Sequence, residues 1–164
     1  MSETPLADVA LTDTVFLPLL HTSFKPLLHA EQQFSGFTVV PSISSTRDIC
    51  ATISLTGPLS IMVLLVLDHA AAWKLMQHEI QSLGLEENDD MLEAVLGEII
   101  NIIGGNATAK LAVDGQHIHL SLPMVLQAAK LRPAGRVCIQ QSQVNTDFGV
   151  VEAYCVSPAN LCFS

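Results

Sequence analysis

Positive charge is scarce in this sequence: 7 of its 164 residues are Lys or Arg against 16 Asp or Glu, for a formal net charge of −9. Nucleic-acid binding needs clusters of Lys and Arg on the phosphates, so the balance argues against a nucleic-acid partner and mainly serves solubility. Long hydrophobic runs are missing too. The longest strongly apolar run, Ile61 to Leu67, is far too short to cross a bilayer, and no membrane association is expected. No charged-then-apolar signal segment opens the chain, since Met1 to Thr14 is polar, acidic and patchy, and a cytoplasmic protein is expected. Cys50, Cys138, Cys155 and Cys162 show no CxxC spacing and read as reduced, buried thiols. There is no phosphate-cradling GxxxxGK[ST], no tandem repeat and no low-complexity linker.

What is present is grease. The chain is 49% hydrophobic and only 14% charged, with a mean hydropathy of +0.44. One domain over residues 1–164 is long enough to bury a sizeable core, with 1–12 as a loose leading segment. Surplus apolar surface is expected to go into self-association, as a homodimer. Apolar spacing predicts a helix over Thr12 to Glu31, bent or interrupted by Pro18 and Pro26. Strand-like runs follow at Phe37 to Ser45, Ile49 to Thr56 and Leu59 to Leu67, the last two joined by Gly57-Pro58 as an antiparallel hairpin. Asp68 is the expected N-cap of a helix from His69 to Leu83, closed by Gly84, and Asn88-Asp89-Asp90 opens another running to Lys110. Asp114-Gly115 marks a hairpin turn into His117 to Leu122. A Pro/Gly loop at Arg132 to Arg136 precedes strands at Val137 to Gln143 and Phe148 to Val156. The order predicts an α/β fold of the α+β type, helices layered on a mainly antiparallel sheet of some seven strands.

Within the second long helix, the stretch GEIINIIGGNATAKL (Gly97 to Leu111) combines four isoleucines with three glycines, one acid and two asparagines. At about 100° per residue, Leu92, Val95, Leu96, Ile99, Ile100, Ile102 and Ile103 crowd a broad face for packing on the sheet. Ala94, Gly97, Glu98, Asn101, Gly105 and Thr108 form a narrow stripe opposite, where Glu98 and Asn101, three apart, are neighbours. Asn106 falls on the apolar arc and reads as a buried amide. A solvated face ordinarily carries Lys, Glu, Gln or Arg. Here Ala94, Gly97, Gly104 and Gly105 flank the acid and the amide, although each interior glycine costs about 1 kcal/mol relative to alanine. Set against a typical stability of roughly 5–15 kcal/mol, three glycines are a large loss. A helix cleared of side chains around one acid and one amide permits close approach by another backbone, whether a partner's or that of a second helix in the same chain.

The stretch GEIINIIGGNATAKL, followed by HLSLP at His119 to Pro123, resembles the CheX branch of the CheC/CheX/FliY family of chemotaxis phosphatases. The hairpin ISLTGPLSIMVLLVLD before a helix is similar to that family's as well, so the likeness runs from about Thr52 to Met124. The resemblance implies a CheC/CheX-like fold and a protein aspartyl-phosphate phosphatase acting on CheY-like response regulators. It implies that Asn101 orients the attacking water and that Glu98 pairs with a lysine of the regulator, with Ala94, Gly97, Gly105 and Pro123 against the partner. Phosphoryl transfer needs positioning and charge stabilisation more than covalent help, and an amide can hold a water without titrating. No cofactor of the chain's own is implied, Mg²⁺ being held by the phosphorylated partner. A single Glu-x-x-Asn site matches the one-site CheX type, for which the resemblance implies a homodimer joined partly through its sheets. Two features depart from the pattern. Ala94 stands where the family often has Asp or Ser, and the spacing from Asn101 to Pro123 is one residue short, as a trimmed Asp114-Gly115 turn would make it. The alternative function is a non-catalytic adaptor of the same fold that binds a receiver domain or a signalling protein.

Other groups read as ordinary structure. His117 and His119 share one strand face but lack a nearby acid or Cys for a metal, and read as solvated. His21, His29, His69 and His78 are scattered over helical segments and read as ordinary surface or boundary residues. Cys138 and Cys155 would face each other across the last hairpin, without a base to activate either. Trp73 and Met76 sit at helical spacing as core or dimer contacts.

Overall fold

The computed structural model describes residues 12–58, 60–112, 117–127 and 131–158. The loose leading segment thus lies almost wholly outside the described residues, as do the Asp114-Gly115 turn and Cys162. The first expected helix is divided at its prolines. A π-helical turn, Thr12–Phe16, leads into α1 (Leu17–Phe24), with Pro18 just past the junction of the two. Pro26 then sits in a 3-10 turn, Lys25–Leu27, because the α-helix cannot run through it.

The strands are β1 (Thr38–Val40), β2 (Ile49–Thr56), β3 (Ile61–Leu67), β4 (His119–Leu120), β5 (Met124–Gln127), β6 (Val137–Thr146) and β7 (Gly149–Pro158). All pair antiparallel in one sheet of order β1-β6-β7-β3-β2-β4, with β5 also on β2. β2 and β3 form the expected hairpin, Cys50 opposite Val66 and Ser54 opposite Met62. Its turn depends on Gly57, whose φ is +140° and whose missing Cβ would lie 2.6 Å from the carbonyl oxygen of His117. Only glycine lets the chain entering β4 pass that close.

The run expected from Phe37 to Ser45 contracts to three residues of β1, since Pro41 ends the ladder and the chain leaves the sheet. β5 answers no expected strand, and both β4 and β5 lie along one edge of β2: β4 on Leu55 and Thr56, β5 on Ile49 to Thr52.

Helix α2 (His69–Ile80) ends three residues before the expected Leu83, and Gly84, at φ +65°, closes the turns beyond it. Asp68 stands in the cap position without accepting a side-chain hydrogen bond. Asp48 does the capping, its Oδ1 accepting from the His69 N–H at 2.8 Å, while the Asp68 carboxylate faces Arg47 at 3.9 Å. Helix α3 (Asp89–Leu111) opens as expected: Asn88 Oδ1 accepts from the Met91 N–H at 2.8 Å, with Asp89 and Asp90 at the positive end of the dipole.

The three helices cover one sheet face. Helix α3 buries Leu92, Leu96, Ile99, Ile100 and Ile103 there, with Ile53, Leu55, Val63 and Leu65 of the sheet in the same core. The opposite face carries a smaller cluster of Cys50, Leu64, Val66, Ile139, Tyr154 and Val156, against which Val40, Ile43, Leu131 and Val137 pack. Cys50 and Cys155 are free buried thiols, as expected. Cys138 is disulfide-bonded, against the expectation of reduced cysteines throughout. In the β6–β7 register it lies opposite Ser157, and Gln140 takes the place opposite Cys155, so Cys138 and Cys155 are two positions out of step. No helix among the described residues is long and apolar enough to cross a membrane.

Candidate functional site

One side of α3 stands clear of the protein. Ala94, Glu98 and Asn101 are exposed along it, with Gly97 half-buried among them and Gly105 half-buried one turn beyond Asn101. A Cβ added at Gly97 or Gly105 would meet nothing within 4 Å, so neither glycine is there to let the chain's own parts approach. Packing against a second helix of the same chain is therefore not the explanation for these two. Among the described residues neither Glu98 nor Asn101 forms a hydrogen bond or ion pair, and both polar heads face solvent. Thr108, at the far end of the stripe, is turned inward: its hydroxyl donates to the Gly105 carbonyl at 2.7 Å.

Three residues depart from the expected wheel. Gly104 faces the sheet, and its absent Cβ would lie 3.0 Å from Leu120 and 3.2 Å from Ile53, so this glycine serves close helix–sheet packing. Ile102, expected in the core, is 48% exposed. Asn106 is exposed and not a buried amide. All follow from one cause: the buried arc is centred on Leu96, Ile103 and Ala107, and Ile102 and Asn106 stand beyond its edge.

Beside the ridge runs an open groove of about 600 Å³. Its helical wall is Asp90, Glu93, Ala94, Gly97, Glu98 and Asn101, and its other wall is Leu122, Pro123 and Val125. The second wall exists because the edge of the sheet is broken. Proline has no N–H for a ladder, and the chain between β4 and β5 leaves β2 at Ser121 to Pro123. Ser121 holds the break in place: its N–H donates to the Ser54 carbonyl and its Oγ accepts from the Ser54 N–H, each at 2.9 Å. Farther along, Gln127 Nε2 donates to Glu93 Oε1 at 2.9 Å and ties β5 to α3.

The site residues named from the sequence thus all line this groove except Gly105, which stands on the ridge one turn beyond Asn101. Leu122 was missed. It is 85% exposed, an unusual position for leucine, and period-two reading had made it simply the last residue of a strand. Val125 was missed with it because nothing marks β5, and Asp90 and Glu93 of α3 because the wall they face is not visible in the sequence. Pro123, interrupting a run that otherwise continues along the same edge of β2, is the only trace the sequence carries of this wall.

The remaining candidates separate cleanly. His117 and His119 are exposed, and no group of three or more His, Cys, Asp or Glu among the described residues is arranged to hold a metal. Burial pushes the Cys50 thiol up to about 12 and raises Cys155 as well, so neither offers a thiolate nucleophile at neutral pH. Met76 is core; Trp73 is half-buried and stacks on His69 with ring centroids 5.5 Å apart, and His69 Nε2 lies 3.1 Å from Asp89 Oδ1 at the start of α3.

The same architecture recurs in solved structures at low sequence identity. A chemotaxis protein CheX from Desulfovibrio desulfuricans superposes with a TM-score of 0.71 at 16% identity, covering 90% of this chain and 97% of that one. A CheC-like superfamily protein from Shewanella sp. PV-4 gives 0.72 at 15%, covering 89% and 96%. The CheX–CheY–BeF3–Mg²⁺ complex from Borrelia burgdorferi gives 0.66 at 16%, covering 88% and 95%. No curated protein matches the chain in sequence. Residues 49–143, which run from the first residue of β2 through α3 and the groove into β6, match the family described as chemotaxis phosphatase CheX, and the chain belongs to that family.

Proposed function

We propose that this protein hydrolyses the aspartyl phosphate of a CheY-like response regulator, docking through the α3 ridge. Asn101 holds the attacking water in line with the phosphorus, and Glu98 pairs with a lysine of the receiver domain. The amide suits this task because it donates and accepts at once and stays neutral across the physiological range. The chain supplies geometry and one negative charge; the Mg²⁺ that offsets phosphoryl charge belongs to the partner. The observation that carries the reading is the pair Glu98 and Asn101 standing unpartnered on a helix with no side chain at Gly97 or Gly105 to obstruct an approaching protein. A fold relative in complex with CheY adds support. A homodimer is part of the proposal, supported by exposed Val39 on the terminal strand β1 and by Met62, at 50% and 41% exposure.

The test is the release of inorganic phosphate from a phosphorylated CheY-like receiver domain. Added protein is expected to accelerate it catalytically at substoichiometric amounts. One observation favours a second reading, that of a non-catalytic adaptor: Ala94 leaves the turn before Glu98 without a polar group. Saturable binding to the phosphorylated receiver, with decay unchanged, is the result that selects the adaptor.

The bare ridge makes a separate prediction. Gly97→Gln and Gly105→Gln each add a good helix former into open space and are expected to raise stability by about 0.5–1 kcal/mol. The same side chains obstruct docking and are expected to lower phosphatase activity at least about tenfold, because productive phosphoryl transfer tolerates little misplacement. Chemical denaturation and the phosphate assay, run on the same preparations, read the two effects. Loss of stability together with activity would mean that the glycines serve this chain's own packing.

A further inference from the structure

The helices and the ridge occupy one sheet face; a second, larger cavity of about 830 Å³ lies on the other. Its size is that of a small-molecule site, roughly 300–1,000 Å³. Its floor is apolar: Cys50, Val66 and Ile139, members of the smaller buried cluster. Its rim holds Arg47, Arg132 and Arg136, which are all the arginines in the sequence. In a chain of net charge −9 an anion is repelled almost everywhere, so Arg132 and Arg136 beside a cavity whose one lining acid among the described residues is Asp48 create a local exception.

The arginines are not equivalent. Arg47 is committed to the protein: its Nη1 donates to Glu152 Oε2 at 3.2 Å and its Nε to the Val150 carbonyl at 3.2 Å. The Ser45 hydroxyl donates to the same Glu152 oxygen at 2.5 Å, so the wall from Ser45 to Arg47 is pinned to β7. Arg132 and Arg136 are exposed on the facing wall, and among the described residues neither forms an ion pair. Ser42 and Ser44, both exposed, add hydroxyls to the lining. A hydrophobic floor, a fixed wall and two uncommitted guanidinium forks make a site for a ligand with an apolar body and an anionic end.

We propose that this cavity binds a nucleoside phosphate, with the base on Cys50, Val66 and Ile139, the ribose toward the serine hydroxyls and the phosphate between Arg132 and Arg136. Guanidinium groups match phosphate oxygens in planar, bidentate geometry, which is why the class is a phosphate ester. The site is separated from the ridge by the thickness of the sheet and needs no phosphatase activity, so it stands or falls apart from the function proposed above.

The experiment is calorimetric titration of the full chain with AMP and GMP at low salt. Saturable binding of at least one of them, at one molecule per chain and with a Kd of about 10–100 µM, is expected, with the parent nucleoside at least about tenfold weaker. The paired substitution Arg132→Gln/Arg136→Gln is expected to weaken binding at least about tenfold while leaving the thermal unfolding midpoint unchanged, since neither side chain holds the fold together. No saturable binding of either nucleotide up to about 1 mM would overturn the proposal, and so would equal affinity in the doubly substituted protein.

Discussion

Asn101→Ala is expected to reduce the acceleration of response-regulator dephosphorylation by about a hundredfold, with little change in the receiver concentration needed for half-maximal effect. The size follows from losing one preorganised polar group at the reacting centre, about 2.7–4 kcal/mol where such groups have been removed from other enzymes. The split follows from geometry. Asn101 is one polar head on a docking ridge, and its loss leaves the helix, the groove and Glu98 in place, so binding survives while the water is no longer held in line. Alanine at an exposed helical position also costs no stability. Glu98→Ala is the useful contrast: in the proposed reading a pair with a lysine of the partner contributes to docking as well as to the reaction, so its loss is expected to raise the half-saturating concentration too. Asn101→Asp separates water positioning from hydrogen bonding in general, since a carboxylate accepts but does not donate and adds negative charge beside the phosphoryl group. It should be no better than alanine. A hundredfold loss that appears entirely in the half-saturating concentration would assign Asn101 to docking and leave the reacting water without a positioning group.

How much of this was legible before any coordinates depends on whether the controlling contact is local. The β2–β3 hairpin and helix α3 were readable because their signals lie inside the segments: Gly57-Pro58 between two β-branched runs, and Asn88-Asp89-Asp90 ahead of a long apolar repeat. The ridge was readable for the same reason, since helical periodicity alone brings Glu98 next to Asn101. The errors on α3 are errors of phase. A stripe drawn from composition put every glycine on the bare side, whereas Gly104 is small because Ile53 and Leu120 press on it, and those neighbours are far away in sequence.

The groove's second wall shows the same limit. Whether Ser121 to Pro123 is strand, loop or wall is decided by Ser54, whose backbone grips Ser121 from both sides, and no local pattern announces a partner so distant. Capping gives a smaller example. Asp68 has the right identity and place to cap α2, yet Asp48 does it, because Arg47 lies beside Asp68 and draws its carboxylate away. Helix signals narrow the choice of capping residue; tertiary charge settles it.

Glu152→Ala is expected to destabilise the protein by about 3 kcal/mol, measured as a shift in denaturant midpoint at constant slope. This carboxylate is 6% exposed and was not distinguished in the sequence from the strand around it. It accepts from four donors: Ser45 Oγ at 2.5 Å, Arg47 Nη1 at 3.2 Å, and Gln141 Nε2 and the Tyr154 hydroxyl at 2.8 Å each. Burial first, and the neighbouring carboxylate second, raise the Tyr154 phenol above its ordinary value, so it remains the donor at any physiological pH. Removing the carboxylate therefore takes the acceptor from a charge and from the Ser45 and Tyr154 hydroxyls, while Gln141 Nε2 keeps the Tyr154 hydroxyl at 3.1 Å, and this is the costly way to break a buried pair. The effect stays near the lower end of the usual 3–5 kcal/mol because Arg47 keeps the Val150 carbonyl and has Asp68 3.9 Å away. Arg47→Met in the Glu152→Ala background should recover about 1 kcal/mol or more, since the uncompensated cation goes with it. If the two substitutions instead add, Arg47 and Glu152 act independently, and the wall from Ser45 to Arg47 must be held to β7 by its backbone alone.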